Sequence, residues 1–310
     1  MLSRNWFFTF DLQSMLMQIL NHSFSYIKSL VLVSTFVFTG IALAHSQQNN
    51  KMGKPITSGL APVNGINMYY EIHGKGDIPL VLIHGGGSTI ESSFGNILPL
   101  LSKHHKIIAI ELQAHGRTTD RDAPESFEQD ADDVAALLKY LKVDKANFFG
   151  FSNGGTTSLQ IGIRHPDIVN KLVVVSASSK RDGMVPGFFE GMENATLDNM
   201  PQPLKDAYLK VAPKKDGLIV MFTKDRDRMR GFKDIPDDAL KSIKAPALLL
   251  AGDKDVVLPE HQVQMSKLIP NSRLAILPGD HGSFIGEVCA KKDSKMIEAT
   301  ATMITDYLNK

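Results

Sequence analysis

The most regular feature of the chain is a series of short, uninterrupted apolar runs, each with the length of a β-strand. A strand buried on both faces is a continuous apolar segment, because neither row of its side chains meets water. We therefore interpret the runs as strands of one sheet that is covered on both faces. They lie at residues 79–83, 106–111, 147–151, 171–176, 247–252 and 273–277.

Helical patterns separate these runs. Between residues 126 and 141, apolar residues recur at helical spacing, and several aspartates fall toward the N-terminal half, where the helix dipole favours acids. Further helices are predicted at 156–164, 260–268 and 294–308. Strands that alternate with helices at this spacing predict an α/β fold with a mostly parallel central sheet and helices on both faces. Upstream, Asn64-Gly65 lies between strand-like residues and predicts a hairpin turn.

The alternation stops between residues 179 and 244. This segment contains no apolar run of strand length, but it contains several prolines, and its methionines and phenylalanines are scattered among charges. We interpret it as a set of short helices that forms a lid inserted into the core. The core then comprises residues 61–178 and 245–310.

Residues 1–44 have the pattern of a secretory signal peptide. Lys28 is followed by an apolar stretch of about 14 residues, and Ala42-Leu43-Ala44 precedes a polar segment. A membrane span needs about 18 apolar residues or more, so we favour a cleaved signal over a stable membrane anchor. Met15 and Met17 are alternative starts that give a signal of ordinary length. We expect export to a periplasm or to the exterior, with a flexible leader over residues 45–60.

Composition places limits on the function. The 310 residues are 43% apolar and 22% charged, with a formal net charge of +1, as in a folded globular protein. Charges of both signs are interspersed, which argues against nucleic acid as a partner. Cys289 is the single cysteine, so an internal disulfide and a cysteine-based metal site are excluded. We interpret it as a free structural thiol, and we expect no metal and no cofactor. The oligomeric state is left open.

The apolar run at 147–151 ends abruptly in Gly-x-Ser-x-Gly, with Ser152 at its centre. A serine at the apex of a tight strand-to-helix turn has a strained backbone, so the positions two before and two after it must be small. Gly150 and Gly154 meet that requirement. The turn exposes the hydroxyl beside the free N–H groups of a helix N-terminus. Ser152 is therefore the candidate nucleophile.

A serine hydroxyl is a poor nucleophile unless a base removes its proton and a third group orients that base. The loop after the last predicted strand supplies His281, and the loop after the preceding strand supplies Asp255, with Asp253 as the second choice. The carboxyl ends of parallel strands meet at one edge of the sheet, where Ser152 also lies. The order serine, aspartate, histidine is the one expected for this architecture.

The sequence His-Gly-Gly-Gly begins at His84, directly after the first apolar run. We interpret its three glycines as a means of bringing backbone N–H groups close to a ligand rather than as a packing feature, with a plain flexible turn as the alternative. His84 and His115 lie on loops that we expect to face the substrate, and they compete with the downstream histidine for the role of base. We expect His84, Gly85 and Phe151 to contact the substrate.

Four motifs resemble those of the α/β-hydrolase family, in the family's order and spacing, over essentially all of residues 61–310. They are the His-Gly-Gly-Gly at 84–87, the Gly-Phe-Ser-Asn-Gly at 150–154, the Gly-Asp-Lys-Asp at 252–255 and the Gly-Asp-His-Gly at 279–282. The resemblance implies an oxyanion hole formed by the N–H groups of Gly86 and Asn153. It also implies a lid at the place of residues 179–244.

One loop departs from the family pattern. Residues 111–118 are similar to the family's Asp-x-Arg-Gly-x-Gly-x-Ser stretch, but four of its positions differ, at Glu111, Gln113, Ala114 and Thr118. The departure weakens a subfamily assignment and leaves the triad unaffected.

Family members that dehalogenate alkanes or open epoxides have an aspartate at the position of Ser152. A serine favours acyl-enzyme chemistry, so we expect hydrolysis of a carboxylic ester in a small-molecule substrate. The lid methionines and phenylalanines suggest a partly apolar substrate, although they are equally explained by packing.

The same triad would serve a C–C bond hydrolase, a lactonase, a perhydrolase or an aminopeptidase, in which Glu190 and Glu193 would bind the substrate amine. A binding module that kept the fold and lost activity is the alternative from another class.

Overall fold

The computed structural model describes residues 52–291 and 293–310. The predicted signal peptide at 1–44, and the predicted leader as far as residue 51, lie outside the described residues. Within the described ranges, no helix is both long enough and apolar enough to cross a membrane.

Eight strands form a single sheet, in the order β1-β2-β4-β3-β5-β6-β7-β8. Strand β2 is antiparallel to both of its neighbours, and all the other neighbouring strands run parallel. The predicted mostly parallel sheet is confirmed. The strands are β1 (Thr57–Val63), β2 (Ile66–His73), β3 (Leu80–Ile83), β4 (Ile107–Ile110), β5 (Ala146–Phe151), β6 (Val169–Val175), β7 (Ala247–Lys254) and β8 (Ser272–Asp280).

Helices connect the strands and cover the sheet. They are α1 (Ile90–Phe94), α2 (Leu98–Leu101), α3 (Phe127–Tyr140), α4 (Asn153–Arg164), α5 (Phe188–Glu193), α6 (Gln202–Val211), α7 (Gly217–Arg230), α8 (Asp237–Lys241), α9 (Pro259–Leu268) and α10 (Ser294–Asn309).

The core has two layers because helices cover both faces of the sheet. Successive side chains of a strand point to opposite faces, so both rows must be apolar when both faces are covered. Phe148 and Phe149 on β5 illustrate this arrangement. Phe148 packs in the layer that includes Leu137 of α3 and Leu159 of α4, and Phe149 packs edge-to-face against Phe94 of α1, with ring centroids 5.3 Å apart.

The predicted hairpin turn joins β1 to β2. Asn64 and Gly65 both have positive φ, at 44° and 86°, as a tight two-residue hairpin requires. The predicted leader boundary at residue 60 is wrong, because the chain joins the sheet at Thr57, which pairs with Ile72. The first four residues of β1 were assigned to the leader because β1 lies at the edge of the sheet and these residues, including Ser58, are mostly polar and exposed.

Helices α5 to α8 all lie between β6 and β7, and we call residues 176–246 the insertion. Tyr208, Leu218 and Met221 of the insertion form an apolar cluster with Ala114, which lies on the loop after β4. The insertion therefore packs on loops at the carboxyl edge of the sheet, the edge where the candidate catalytic residues were expected.

The turn and the insertion offer a matched pair of glycine substitutions. Gly65→Ala should lower the free energy of unfolding by about 1 kcal/mol, because an L-residue is strained at a φ of 86° although the space around it is open. Gly191→Ala, also in open space but inside α5 with an ordinary φ, should raise it by up to about 1 kcal/mol through helix propensity. Chemical denaturation measures both, and shifts of the same sign would contradict this account.

Candidate active site

Ser152 occupies the turn between β5 and α4, at the carboxyl end of β5. Its backbone has φ 54° and ψ −121°, a conformation that L-residues rarely adopt. A Cβ on Gly150 would lie 2.0 Å from the Gly154 carbonyl oxygen, and one on Gly154 would lie 2.1 Å from the Ile83 carbonyl oxygen. The two glycines are therefore a steric requirement of the turn that presents the serine.

The structure brings together the three residues chosen from the sequence. His281 follows β8, and its Nε2 atom lies 3.1 Å from Ser152 Oγ. Its Nδ1 atom lies 2.7 Å from Asp255 Oδ1, on the loop after β7. A neutral imidazole that donates from Nδ1 to a carboxylate has its Nε2 lone pair free to accept the serine proton. The contacts thus form a continuous path from hydroxyl to imidazole to carboxylate.

Asp255 is held as a buried carboxylate. It accepts hydrogen bonds from Ser176 Oγ at 2.5 Å and from the N–H groups of Gly252 and Val257 at 3.2 and 3.3 Å. Burial alone would raise the pKa of this carboxyl, but the hydrogen bonds from His281 and Ser176 bring the pKa below its ordinary value. Asp255 is therefore ionised at neutral pH.

Asp253, the second choice for the acid, is exposed and has a different contact. Its Oδ1 atom accepts a hydrogen bond from the N–H of Gly279 at 2.8 Å, which ties the end of β7 to the end of β8. It does not contact His281.

The N–H groups of Gly86 and Asn153 border Ser152, one on the loop after β3 and the other at the start of α4. The Asn153 N–H is the first of the helix and has no acceptor within it. The Gly86 N–H donates to no backbone acceptor among the residues that the structure describes. Gly86 and Asn153 line the same pocket as Ser152.

The glycine loop is also a packing feature, so the interpretation that excluded packing is wrong. A Cβ on Gly85 would lie 3.1 Å from the Phe151 ring, and one on Gly86 would lie 2.6 Å from Asn153 Nδ2. Gly87 has φ 65°. Two of the glycines therefore admit neighbouring side chains, and the third permits a left-handed backbone.

His84 is wrong as a substrate contact. Its side chain is fully buried, Nδ1 lies 2.7 Å from the Gly85 carbonyl oxygen, and Nε2 accepts a hydrogen bond from the Leu112 N–H at 3.0 Å. Burial and the nearby charge of His115 lower the pKa of His84 to about 3. The neutral ring fixes the Gly85 carbonyl and, with it, the peptide plane that carries the Gly86 N–H.

His115, the other competing base, is also fully buried and is a cation. Its Nδ1 atom lies 2.7 Å from the Gln113 carbonyl oxygen, and Nε2 lies 3.3 Å from Asp225 Oδ2, so both nitrogens donate. Burial alone would lower the pKa of His115, but the charges of Asp225 and Glu125 raise it to about 9. The two histidine rings lie 4.8 Å apart, and one is neutral whereas the other is a cation.

Asp225 on α7 is the functional-site residue that the sequence did not reveal. Its buried carboxylate accepts hydrogen bonds from the Gly87 N–H, from Asn153 Nδ2 and from Arg228. Arg228 also donates to Asp130 of α3 at 2.7 Å. The residues around Asp225 alternate in charge, which is typical of an exposed helix face, so the local sequence did not indicate a role in the site.

Ser152 lies between two pockets. The insertion pocket, of about 250 Å³, contains Ser152 and Asn153 and is walled mainly by apolar side chains of the insertion. The His281 pocket, of about 340 Å³, contains Ser152 and His281 and is lined by more polar residues, among them Lys254 and Glu287. The apolar wall of the insertion pocket includes Phe188, Met192, Met200, Leu204, Met221 and Phe222.

The remaining expected substrate contacts divide between these pockets. Gly85 and Phe151 line the His281 pocket, and the Phe151 ring lies 4.8 Å from the His281 ring. Cys289 lines it as well, and burial raises the pKa of its thiol to about 11, so the sulfur is protonated at neutral pH. Glu190 and Glu193 are exposed and line neither pocket.

A larger groove of about 680 Å³ lies between residues 122–128 and the end of α7, and it contains none of the three candidate catalytic residues. Within the described part of the chain, no cluster of side chains has the composition of a metal site.

Comparison with known proteins agrees with this geometry. A family model described as alpha/beta hydrolase fold matches residues 78–210. The human protein serine hydrolase BPHL is 30% identical over 258 residues, which cover 78% of this chain and 86% of the relative. The bifunctional esterase/perhydrolase DCH of Acinetobacter calcoaceticus is 27% identical, over 71% of this chain and 91% of the relative. The enol-lactonase of Burkholderia xenovorans LB400 superposes with a TM-score of 0.62 at 22% identity, over 81% of this chain and all of the other.

The charge of buried His115 predicts a pH-dependent contribution to stability. Because the folded-state pKa of about 9 is above the ordinary value of 6.5, the contribution is complete below pH 6.5 and is lost as the pH rises through 9. The melting temperature of His115→Gln should therefore fall furthest below that of the native protein at pH 6, and the difference should narrow by pH 10.

His104→Gln, at an exposed histidine, is the matched control and should lower the melting temperature little at either pH. A His115→Gln difference that is constant, or that grows toward pH 10, would show that His115 is neutral in the folded protein.

Proposed function

Because the chain belongs to the α/β-hydrolase family of serine hydrolases, we propose that it hydrolyses a carboxylic ester through an acyl-enzyme intermediate. One observation carries the proposal: Ser152 Oγ, His281 and Asp255 form an uninterrupted chain of hydrogen-bonding contacts at the edge of the sheet. This arrangement also argues against a binding module that has lost its activity.

In the proposed first step, Ser152 Oγ attacks the ester carbonyl carbon while His281 Nε2 takes the hydroxyl proton. Asp255 remains ionised and stabilises the imidazolium. The carbonyl oxygen becomes an oxyanion that accepts hydrogen bonds from the N–H groups of Gly86 and Asn153. Two preorganised donors of this kind stabilise charge that develops only in the transition state.

The imidazolium then gives its proton to the alcohol oxygen, the bond between that oxygen and the carbonyl carbon breaks, and the acyl group stays on Ser152. A water molecule next attacks the acyl carbon and loses its proton to His281. The imidazolium then gives this proton to Ser152 Oγ as the bond between Oγ and the acyl carbon breaks, which restores the hydroxyl and releases the carboxylic acid. The same base serves both halves of the reaction.

The two pockets support an assignment of the two halves of the ester. The leaving oxygen must lie within hydrogen-bond reach of His281 Nε2 to receive a proton. The alcohol therefore occupies the His281 pocket, and the acyl group occupies the insertion pocket on the other side of Ser152. The methionines and phenylalanines of the insertion pocket favour an apolar acyl group, and the charged side chains Lys254 and Glu287 in the His281 pocket favour a more polar alcohol.

Ester hydrolysis is favoured over aminopeptidase activity. An aminopeptidase would need acids that bind the substrate amine, and the two expected ones, Glu190 and Glu193, line neither pocket. A relative that is an esterase and perhydrolase supports ester chemistry as well. A lactone is a cyclic ester and would follow the same path, so it belongs in the substrate panel.

A fluorophosphonate probe tests the nucleophile. It should label the native protein at Ser152, and Ser152→Ala should abolish both labelling and ester turnover. His281→Ala should slow turnover of p-nitrophenyl esters by about 10²- to 10⁴-fold, the usual contribution of a general base. Ser242→Ala, at an exposed serine, is the control and should react like the native protein. Undiminished labelling of Ser152→Ala would place the nucleophile elsewhere.

Bulky substitutions in each pocket test the assignment of acyl and alcohol. Met192→Trp narrows the insertion pocket and should reduce kcat/KM about tenfold or more for octanoyl esters but little for acetyl esters. Cys289→Trp narrows the His281 pocket and should reduce kcat/KM more for esters of large alcohols than for esters of small ones.

Burst kinetics separate the two effects. Hydrolysis of the acyl-enzyme does not involve the alcohol, so Cys289→Trp should leave the deacylation rate unchanged and Met192→Trp should alter it. The opposite pattern would mean that the two halves of the ester are exchanged between the pockets.

A further inference from the structure

We propose that Asp225 is a positioning residue that ties both arms of the oxyanion hole to helix α7 of the insertion. This inference rests on the proposed function, because it assigns the two N–H donors their role in ester hydrolysis. It concerns a side chain that lies in no motif and that is far in the sequence from the residues it contacts.

Asp225 contacts both segments that supply the donors. It accepts a hydrogen bond from the N–H of Gly87, the residue after Gly86, and another from Asn153 Nδ2 at 3.3 Å. A Cβ on Gly86 would lie 2.8 Å from Asp225 Oδ2, so the carboxylate sits directly against the loop. One side chain of the insertion therefore bridges the glycine loop and the first residue of α4.

The peptide planes explain why this contact orients the hole. His84 holds the Gly85 carbonyl and so fixes the peptide that carries the Gly86 N–H. Asp225 holds the following peptide through the Gly87 N–H. Rotation of either plane would break a buried hydrogen bond, so the Gly86 N–H is restrained from both sides. Donors that are held in advance of the reaction need no reorganisation in the transition state.

Asp225 lines the insertion pocket, but its oxygens are fully occupied. Oδ2 accepts from the Gly87 N–H and from His115 Nε2, and Oδ1 accepts from Asn153 Nδ2 and Arg228 Nη2. A carboxylate offers about four lone-pair sites, so none is left for a cationic group of a substrate. The contacts therefore point to a role in holding the protein rather than in binding the substrate.

The partners of Asp225 connect the bridge to other buried groups. Arg228 pairs with Asp225 and with Asp130 of α3, and His115 donates to both Asp225 and the Gln113 carbonyl. These two cations also reduce the repulsion between the Asp225 carboxylate and an oxyanion formed close by, although they are shared with Glu125 and Asp130. The bridge thus holds the hole with the charge of its carboxylate partly offset.

Asp225→Asn tests the proposal with little change in shape. An amide in place of the carboxylate presents N–H donors to partners that are themselves donors, so the bridge should weaken. We expect kcat for p-nitrophenyl butyrate to fall about 10- to 100-fold, the effect of a small misplacement of catalytic groups, with KM unchanged within about threefold. The rate of labelling by the fluorophosphonate and the affinity for butylboronic acid, which forms a tetrahedral adduct on serine, should fall in parallel.

Asp227→Asn is the matched control, because Asp227 is exposed on the same helix two residues away and pairs with Arg230. It should retain native kcat, KM and boronic acid affinity. Native kcat in Asp225→Asn, or a change confined to KM, would overturn the proposal, since KM reports substrate binding in this comparison.

Asn153→Ala decides the matter independently if Asp225→Asn does not fold. It keeps the backbone N–H and removes only the side chain that contacts Asp225, so kcat should fall severalfold with a native melting temperature. If both variants fold, the double variant should be no slower than Asp225→Asn alone, because the same bridge is broken. Additive losses in the double variant, or native kcat in Asn153→Ala, would overturn the proposal.

The outcome is separable from that of the proposed function. Failure of the native protein to label at Ser152 would remove the function itself. Labelling of the native protein together with an equal labelling rate in Asp225→Asn would remove only the positioning role.

Discussion

The active site depends on one backbone contact, the close approach of the first turn of α4 to the carboxyl end of β3. A Cβ on Gly154 would come within 2.1 Å of the Ile83 carbonyl oxygen and 2.5 Å of the His84 carbonyl oxygen, so no side chain can separate the two segments. Ser152 directly precedes the first residue of α4, and the glycine loop continues from β3. The distance between the nucleophile and the loop is therefore set by main-chain atoms, and side chains such as His84 only adjust orientation within that limit.

The pattern of apolar runs was sufficient to predict where the candidate catalytic residues lie, because each of them follows the carboxyl end of a strand with a clear apolar run. Ser152, Asp255 and His281 were placed correctly relative to one another for that reason. The periodicity places a residue on a loop but does not say which way its side chain turns. His84 was accordingly expected to face the substrate, although its ring points into the core.

The contact of Asp225 with the site could not be predicted from the sequence, for a different physical reason. Its partner Asn153 lies 72 residues away in the sequence, and the contact forms only when α7 packs over the sheet edge. The surrounding residues 224–228 alternate in charge, which ordinarily indicates a solvated helix face. The start of edge strand β1 was assigned to the leader because polar residues on an exposed edge resemble those of a flexible segment.

The buried groups beside the glycine loop differ in charge: His84 is neutral, His115 and Arg228 are cations, and Asp225 is an anion. Burial and the His115 cation keep His84 neutral, whereas the carboxylates of Asp225 and Glu125 keep His115 charged. Two histidines 4.8 Å apart thus have different roles, one as a neutral link between backbone groups and the other as a counter-ion. Arg228 supplies the second counter-ion, so the carboxylate of Asp225 is compensated at the point where it meets the loop.

The position of helix α7 limits how the substrate preference of this enzyme can change. It contributes Met221, Phe222 and Met229 to the wall of the insertion pocket, and from the same turns it contributes Asp225 to the loop beside the nucleophile. A change that shifts this helix to admit a different acyl group also shifts the carboxylate. Selection for a new substrate and selection for turnover therefore act on one rigid element, and an exchange of the whole insertion between relatives would transfer both properties together.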